Sequence, residues 1–261
     1  MSDIGLPPSH WHFNPLEFIR HLRGNLWLDE RQVALAFPSS KPENRVMYGV
    51  HLNRTASKYH ISSSRHRLTH FLGQGAHESS QLNLMVEAGN TKSSKEPEGN
   101  TWFNGAAETY FNQYIGRNGN IDSSDHIKFR GRGLKQLTGR YNYGYYWAYR
   151  GWLSIRSFQE PWWAPSRPDR APVVVDPQII GNNPSLTIDA GGWYWESTPL
   201  RGLSNGRGRS MSSINVLIDK SDFNDDIIRS VSKMINGGEF GLSDRKIQTR
   251  RVAGILMDAV E

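Results

Sequence analysis

The sequence predicts a mainly helical fold, organised as a single domain over residues 1–261 with a cleft between two lobes. Apolar residues recur at the i, i+3, i+4 spacing of helices along most of the chain, whereas the alternating pattern of strands is scarce. With 261 residues and 37% hydrophobic content the chain can bury a full core, and it does so without disulfides because cysteine is absent.

Residues typical of helix ends bound most of the predicted helices. Asn14-Pro15 opens a helix within an N-terminal lead-in of residues 1–27, and Asp29 caps a second helix that ends before Pro38. Residues 155–184 are rich in proline and tryptophan and predict a long irregular insertion. The other predicted helices cover residues 44–58, 62–80, 106–115, 183–199, 225–236 and a last segment that Ser243 caps and that runs through Leu256.

The charge balance favours an anionic polymer as partner. Lysine and arginine number 31 against 25 acidic residues, which gives a formal net charge of +6 and a sequence pI near 9.5. The first residues lack the basic and apolar regions of a signal peptide, and no apolar run approaches the ~20 residues that span a bilayer. We therefore expect synthesis in the cytoplasm without membrane insertion, and delivery by another component if the substrate lies outside.

Residues 77–87 place two carboxylates, Glu78 and Glu87, where a helix should end. Two acids held near each other are what cleavage of a glycosidic bond requires. Glu78 lies on the flank of the apolar helix face, where partial desolvation suits a proton donor. Glu87 follows the helix end in a turn-rich segment with more water around it, which suits a base. The alternative is that both are ordinary surface glutamates.

Residues 129–143 concentrate glycines, arginines, amides and tyrosines in a pattern that neither a helix nor a strand explains. Glycine allows close approach to a ligand, amide and hydroxyl groups offer hydrogen bonds, and tyrosine offers a flat face to a sugar ring. The same segment also fits a basic, aromatic strip that binds nucleic acid, or a glycine-rich turn with solvated arginines.

Metal sites are not expected from the sequence. A zinc-protease motif would need histidine at position 81, where the chain has Gln81. Of the histidines on the 62–80 helix, at most His66 and His70 could pair, and a solvated histidine face is the favoured interpretation. Residues 118–122 and 219–222 only faintly resemble calcium loops and are predicted to be turns.

Four motifs in order resemble glycoside hydrolase family 19, the chitinase and lysozyme-like family that includes many phage endolysins. They are His-Glu-Ser at 77–79, Arg-Gly-Arg-Gly-Leu-Lys-Gln-Leu-Thr-Gly-Arg at 130–140, Ile-Asn-Gly-Gly at 235–238 and Gly-Leu-Ser-Asp-Arg at 241–245. The resemblance covers roughly residues 28–258. It implies a lysozyme-like, two-lobed helical fold, no metal or cofactor, and cleavage of β-1,4 linkages between N-acetylated sugars with inversion.

The resemblance also implies roles for individual residues. The catalytic residues are Glu78 as general acid, Glu87 as general base and Thr138 as the hydroxyl that holds the attacking water. The substrate-binding residues are Gln136, Tyr141, Asn142 and Asn236, with Arg132 and Arg245 matching arginines that support the carboxylates and keep Glu87 ionised. The chain departs from the family pattern at Ser80-Gln81, at residues 88–90 and at Lys135, which stands where an apolar residue is usual.

The short spacing of the two acids is similar to that of the endolysin branch and favours peptidoglycan glycan strands as the substrate. Residues 11–19 resemble the lead-in of type VI secretion effectors, so a secretion apparatus or immunity protein is an expected partner, and the periplasm or cell wall is the expected place of action. We expect a monomer that does not bind nucleic acid. The alternatives are a chitinase, a nucleic-acid-binding module and a wall-binding domain without activity.

Overall fold

The chain folds into α-helices joined by loops. The computed structural model describes residues 26–87, 109–201 and 213–257, with residues 198–201 described by their backbone alone. Within these ranges, extended residues pair only as isolated bridges, such as Val86 with Arg132. The helices are α1 (Glu30–Ala36), α2 (Pro42–Lys58), α3 (Arg65–Glu78), α4 (Asp125–Lys128), α5 (Arg140–Tyr149), α6 (Ile179–Asn182), α7 (Pro184–Arg201), α8 (Ile214–Asp219), α9 (Asp225–Asn236) and α10 (Leu242–Leu256).

Local chemistry sets most helix ends. At the start of α1, the side chain of Asp29 accepts a hydrogen bond from the backbone of Gln32, and the Gln32 side chain accepts one from the Asp29 backbone. Asn224 caps α9 in a similar way, and Gly237 ends that helix in the left-handed conformation with φ 79°. Short polar side chains therefore determine where α1 and α9 begin, and a glycine determines where α9 ends.

Helix α3 is the centre of the core, with every residue from Leu68 to Ala76 buried. It crosses α10 at very short range, since a methyl group on Gly73 would lie 2.5 Å from the Cα of Thr249. On the other side, the Phe71 ring meets the edge of Trp195 in α7 at 5.3 Å between ring centroids. Because α3 is held from both sides, its C-terminal residue, Glu78, occupies a fixed position.

Most of the predicted helices are confirmed, and several details are wrong. The last helix begins after Gly241, with φ 70°, and the predicted Ser243 cap lies inside it. Helices α5 and α8 were not predicted. Within residues 155–184, which the sequence predicts to be an irregular insertion, the structure has two 3-10 turns and the four-residue helix α6. The lead-in helix predicted within residues 1–27 lies outside the described residues, apart from residues 26 and 27, which belong to no helix.

In the two predicted turns that faintly resemble calcium loops, acidic side chains form ion pairs. Asp122 binds Arg140, and Asp219 binds Arg67. Within the described ranges, no three histidine or acidic side chains lie close enough together to hold a metal ion. None of the described helices is both long and apolar enough to cross a membrane.

The expectation of a solvated histidine face is wrong for His70. Its ring is fully buried, lies 3.3 Å from the His66 ring between their Nε2 atoms, and packs against Phe223. Burial lowers the pKa of His70 to about 3, and the neighbouring His66 adds to this effect. A histidine on a helix that is packed on both sides takes part in the core, which the local sequence does not reveal.

Replacing the buried histidine should change how stability depends on pH. Between pH 6.5 and pH 3 the unfolded chain protonates His70 and the folded chain does not, so stability is lost as the pH falls through this window. In His70→Gln, the free energy of unfolding should fall less steeply as the pH decreases, by up to about 1.4 kcal/mol per pH unit. Urea unfolding at a series of pH values measures it, with exposed His60→Asn as control. An unchanged slope in His70→Gln would contradict the burial argument.

Candidate active site

The chain reverses direction directly after Glu78. Residues 80–82 all adopt the left-handed conformation, with φ between 45° and 64°, although none of them is glycine. Such a conformation costs on the order of 1 kcal/mol per residue and persists only where the surroundings enforce it. Here the hydroxyl of Ser79 accepts a hydrogen bond of 2.8 Å from the backbone of Leu82. The turn brings Glu87 back toward the end of α3.

The segment that carries Glu87 pairs with the glycine-rich loop at residues 129–139. The Glu87 backbone N–H donates to the carbonyl of Gly131 at 2.8 Å, and the Gly133 N–H donates to the carbonyl of Met85 at 2.7 Å. At Gly139, with φ 87°, a methyl group would lie 2.2 Å from the Cβ of Asn118. The glycines predicted to approach a ligand thus also let the loop pack against its own neighbours.

Arg245 holds the carboxylate of Glu78. Its Nη2 donates to Glu78 Oε1 at 2.5 Å, its Nη1 donates to the amide oxygen of Gln74 at 2.7 Å, and its Nε donates to the carbonyl of Phe240 at 3.0 Å. The arginine side chain is only 2% exposed and that of Glu78 is 14% exposed. Within the described part of the chain, Glu78 Oε2 makes no hydrogen bond, so this oxygen is available to a ligand.

Lys135 is a second basic residue beside Glu78, and it is buried. Its Nζ donates to the carbonyl of Phe71 at 2.6 Å and lies over the rings of Phe71 and Trp195, at 4.6 Å and 5.1 Å from their centroids. Burial lowers the pKa of Lys135 well below its usual range, while the negative charge of Glu78 acts in the opposite direction. The residue that departs from the family pattern thus lies in the wall of the site.

Glu87 receives different hydrogen-bond donors. The hydroxyl of Tyr114 donates to Oε1 at 2.7 Å, and the backbone N–H of Gly131 donates to Oε2 at 2.8 Å. Burial raises the pKa of Tyr114, and the negative charges of Glu87 and, to a smaller extent, Glu78 raise it further. The phenol therefore stays a donor at neutral pH and lies within electrostatic reach of both carboxylates.

Both carboxylates line one cleft of about 720 Å³, a size typical of ligand sites. The structure brings together most of the predicted site residues here. The cleft is lined by Glu78, Glu87, Gln136, Thr138, Asn142 and Asn236, together with Tyr110, Gln113, Tyr114, Asn118, Lys135, Tyr194, Lys233, Met234, Ile235, Gly237 and Phe240.

Three residues predicted for substrate binding are not cleft residues. Arg132 is fully buried and donates to the hydroxyl of Tyr143 at 2.8 Å, so it stabilises the loop from within the core. Tyr141 is not among the described residues that line the cleft; it packs in an aromatic cluster, with Trp162 at 5.8 Å between ring centroids. Arg245 is also buried, and it pairs with the Glu78 carboxylate, which agrees with its expected support of a carboxylate.

The sequence interpretation missed the two tyrosines beside Glu87. Tyr110 and Tyr114 are four residues apart, which is the spacing that indicates a shared helix face. Both tyrosines belong to an apolar stripe of the helix predicted over residues 106–115, and neither was assigned to the site. Since tyrosine carries a polar tip on an apolar ring, the same stripe also predicts hydroxyls that point into a site.

No protein-family model matches the chain. A glycosyl hydrolase family 19 domain-containing protein of Haemophilus influenzae is 28% identical over 134 residues, which are 51% of this chain and 46% of that protein. The chain thus spans about half the length of this curated relative.

Solved structures that share the fold include two of a chitinase. Chitinase C from Streptomyces griseus HUT6037 matches with a TM-score of 0.54 at 19% identity, over 89% of this chain and 94% of that one. A mutant of chitinase C matches with a TM-score of 0.53 at 18% identity, over the same shares of both chains. These likenesses confirm the predicted mainly helical fold class.

Removing the buried arginine should destabilise the fold. Arg245→Met leaves the Glu78 carboxylate without its cation, which should lower the free energy of unfolding by about 3 kcal/mol. Arg250→Met on the same helix removes a largely exposed ion pair with Asp225 and should cost at most about 1 kcal/mol. Urea unfolding at pH 7 compares them, and equal losses would show that the Arg245 contacts contribute no more than a surface pair.

Proposed function

We propose that this protein is a glycoside hydrolase that cuts β-1,4 bonds in an N-acetylated glycan, with Glu78 as general acid and Glu87 as general base. The observation that carries the proposal is that two carboxylates line one cleft and are held by different donors. The fold shared with chitinase C and the sequence likeness to the Haemophilus influenzae protein support it.

Glu78 is suited to give a proton to the leaving oxygen. Its Oε1 is held by Arg245, whereas its Oε2 is available to carry the proton toward the glycosidic oxygen. After the transfer, Arg245 stabilises the carboxylate that remains.

Glu87 is suited to activate water. Tyr114 and Gly131 donate to its two oxygens and stabilise the ionised carboxylate that a base requires. The hydroxyl of Thr138 donates to the carbonyl of Gln136 at 2.8 Å, so its lone pairs can accept a hydrogen bond from the attacking water. The water oxygen attacks C1 of the sugar while Glu87 takes one of its protons.

The reaction balances with these two residues alone. The bond between C1 and the leaving oxygen breaks, the leaving oxygen takes the proton of Glu78, and the water supplies the new hydroxyl group on C1. Because the water attacks from the face opposite the leaving group, the configuration at C1 inverts. The carboxyl groups should then lie roughly 6.5–9.5 Å apart, which leaves room for the water.

Peptidoglycan is the substrate we favour. The net charge of +6 suits an anionic polymer, and the wall glycan carries carboxylates on its lactyl and peptide groups. Lys233 in the cleft wall offers a cation to such groups. Action in the periplasm or cell wall, after delivery by a secretion apparatus or release at lysis, is part of this proposal.

Chitin is the second candidate, because the solved structures that share the fold include chitinase C and its mutant. A nucleic-acid-binding module is disfavoured by the burial of the arginines that would form its strip. The exposed fractions of Arg130, Arg132 and Arg140 are 0%, 0% and 8%. Side chains this deeply buried cannot reach phosphates on the surface.

Replacing the acid should abolish digestion and leave the fold intact. Glu78→Gln removes the transferable proton but keeps an oxygen for Arg245, so the rate should fall at least about 100-fold with little change in thermal stability. Mass spectrometry of digested peptidoglycan and of chitin oligomers reports the rate, and the new reducing end identifies the bond that is cut. Exposed Glu43→Gln on α2 is the control. Near-normal turnover by Glu78→Gln would rule out its role as the acid.

Adding one methyl group beside the base should lower activity without unfolding the protein. A methyl group on Gly131 would lie 3.0 Å from Glu87 Oε2 and 2.7 Å from Gln136 Oε1, so these side chains must shift. Since misplacing a catalytic group by about 1 Å can cost 100-fold, kcat of Gly131→Ala should fall roughly 10- to 100-fold. Gly254→Ala, which meets nothing within 4 Å, is the control. Full activity in Gly131→Ala would show that this geometry does not matter for the reaction.

A further inference from the structure

We propose that Phe240 is an aromatic platform that binds a sugar unit at the rim of the cleft, beyond the two units joined by the cleaved bond; this inference rests on the proposed function. Phe240 is 84% exposed, the largest fraction among the big hydrophobic side chains in the described part of the chain. It is also a lining residue of the cleft that contains Glu78 and Glu87.

The backbone at Phe240 is fixed even though the ring is exposed. Its carbonyl accepts hydrogen bonds from Asn236 and Arg245, both at 3.0 Å. The next residue, Gly241, has φ 70°, and a methyl group there would lie 2.3 Å from the ring of His77. The loop therefore packs directly on the end of α3, and the position of Phe240 is set relative to the catalytic residues.

Ion pairs connect the loop that carries Phe240 to α9. Glu239 binds Lys233 at 2.8 Å, and Arg229 lies 3.8 Å from the same carboxylate oxygen. The hydrogen bond from Lys233 lowers the pKa of Glu239, so the pair stays charged at neutral pH. Lys233 also lines the cleft, which places an ammonium group and a phenyl ring at the same rim.

An exposed phenyl ring on a fixed backbone suits the ring face of a sugar. The C–H groups on one face of a pyranose pack on an aromatic face, and stacking loses little entropy when the aromatic residue is already positioned. Exposed apolar residues are common on protein surfaces, so exposure alone would mean little. The platform is inferred from exposure together with the cleft position and the shared Arg245 contact.

The test is the dependence on substrate length. With N-acetylglucosamine oligomers of two to six units and wall glycan strands freed of peptides, Phe240→Ala should raise KM for long substrates about three- to tenfold, the size of an aromatic stacking contact. Its kcat/KM for the shortest cleaved substrate should match the wild type. Phe240→Trp should restore binding of long substrates. Exposed Ile247→Ala on α10, outside the cleft lining, is the matched control.

The outcomes separate the two proposals. If the wild type hydrolyses none of these glycans, the proposed function fails. If the wild type hydrolyses them and Phe240→Ala affects no length, or affects short and long substrates equally, the platform is overturned while the function stands. Loss of binding that Phe240→Trp does not restore would overturn it as well. Thermal unfolding of each variant confirms that the loop change has not disturbed the fold.

Discussion

The site depends on the ion pair between Arg245 and Glu78. A guanidinium that is 2% exposed must satisfy its donors within the protein, and it does so with Gln74 and Glu78 on α3 and with the carbonyl of Phe240. One side chain thus joins the crossing of α3 and α10, the carboxylate of the acid and the rim loop. Because a buried charge without its partner is costly, the three parts can hardly move independently.

Glu87 is held by different contacts from those of Glu78, and this difference favours Glu78 as the acid and Glu87 as the base. Glu87 lies on a short extended segment that pairs with the glycine-rich loop, and its donors are the neutral Tyr114 hydroxyl and the Gly131 amide. Neutral donors stabilise a carboxylate without neutralising its charge. A base held by neutral dipoles and an acid paired with a buried cation can act on one bond from two sides.

The sequence predicts what is local and misses what is tertiary. Asp29, Asn224 and Gly237 mark helix ends through their own backbone chemistry, and motif spacing places Glu78 and Glu87 at one site. Spacing does not say which side chains of a loop face the cleft, so Arg132 and Tyr141 were assigned to the groove although neither is among its described lining residues. The burial of His70 arises from contacts with residues distant in sequence, such as Phe223, and Phe240 is exposed although Asn236 and Arg245 hold its backbone. No pattern near those residues could reveal them.

The stereochemistry of the first product tests the account most directly. Proton NMR during the first minutes of hydrolysis of a β-1,4-linked N-acetylated oligosaccharide or glycan strand shows which anomer forms before mutarotation. If Glu78 protonates the leaving oxygen while Glu87 directs water to the opposite face, the new reducing end appears first as the α anomer. A β anomer formed first would mean that a carboxylate or the acetamido group of the substrate attacks C1 directly, and it would contradict the assignment of Glu87 as the base that activates water.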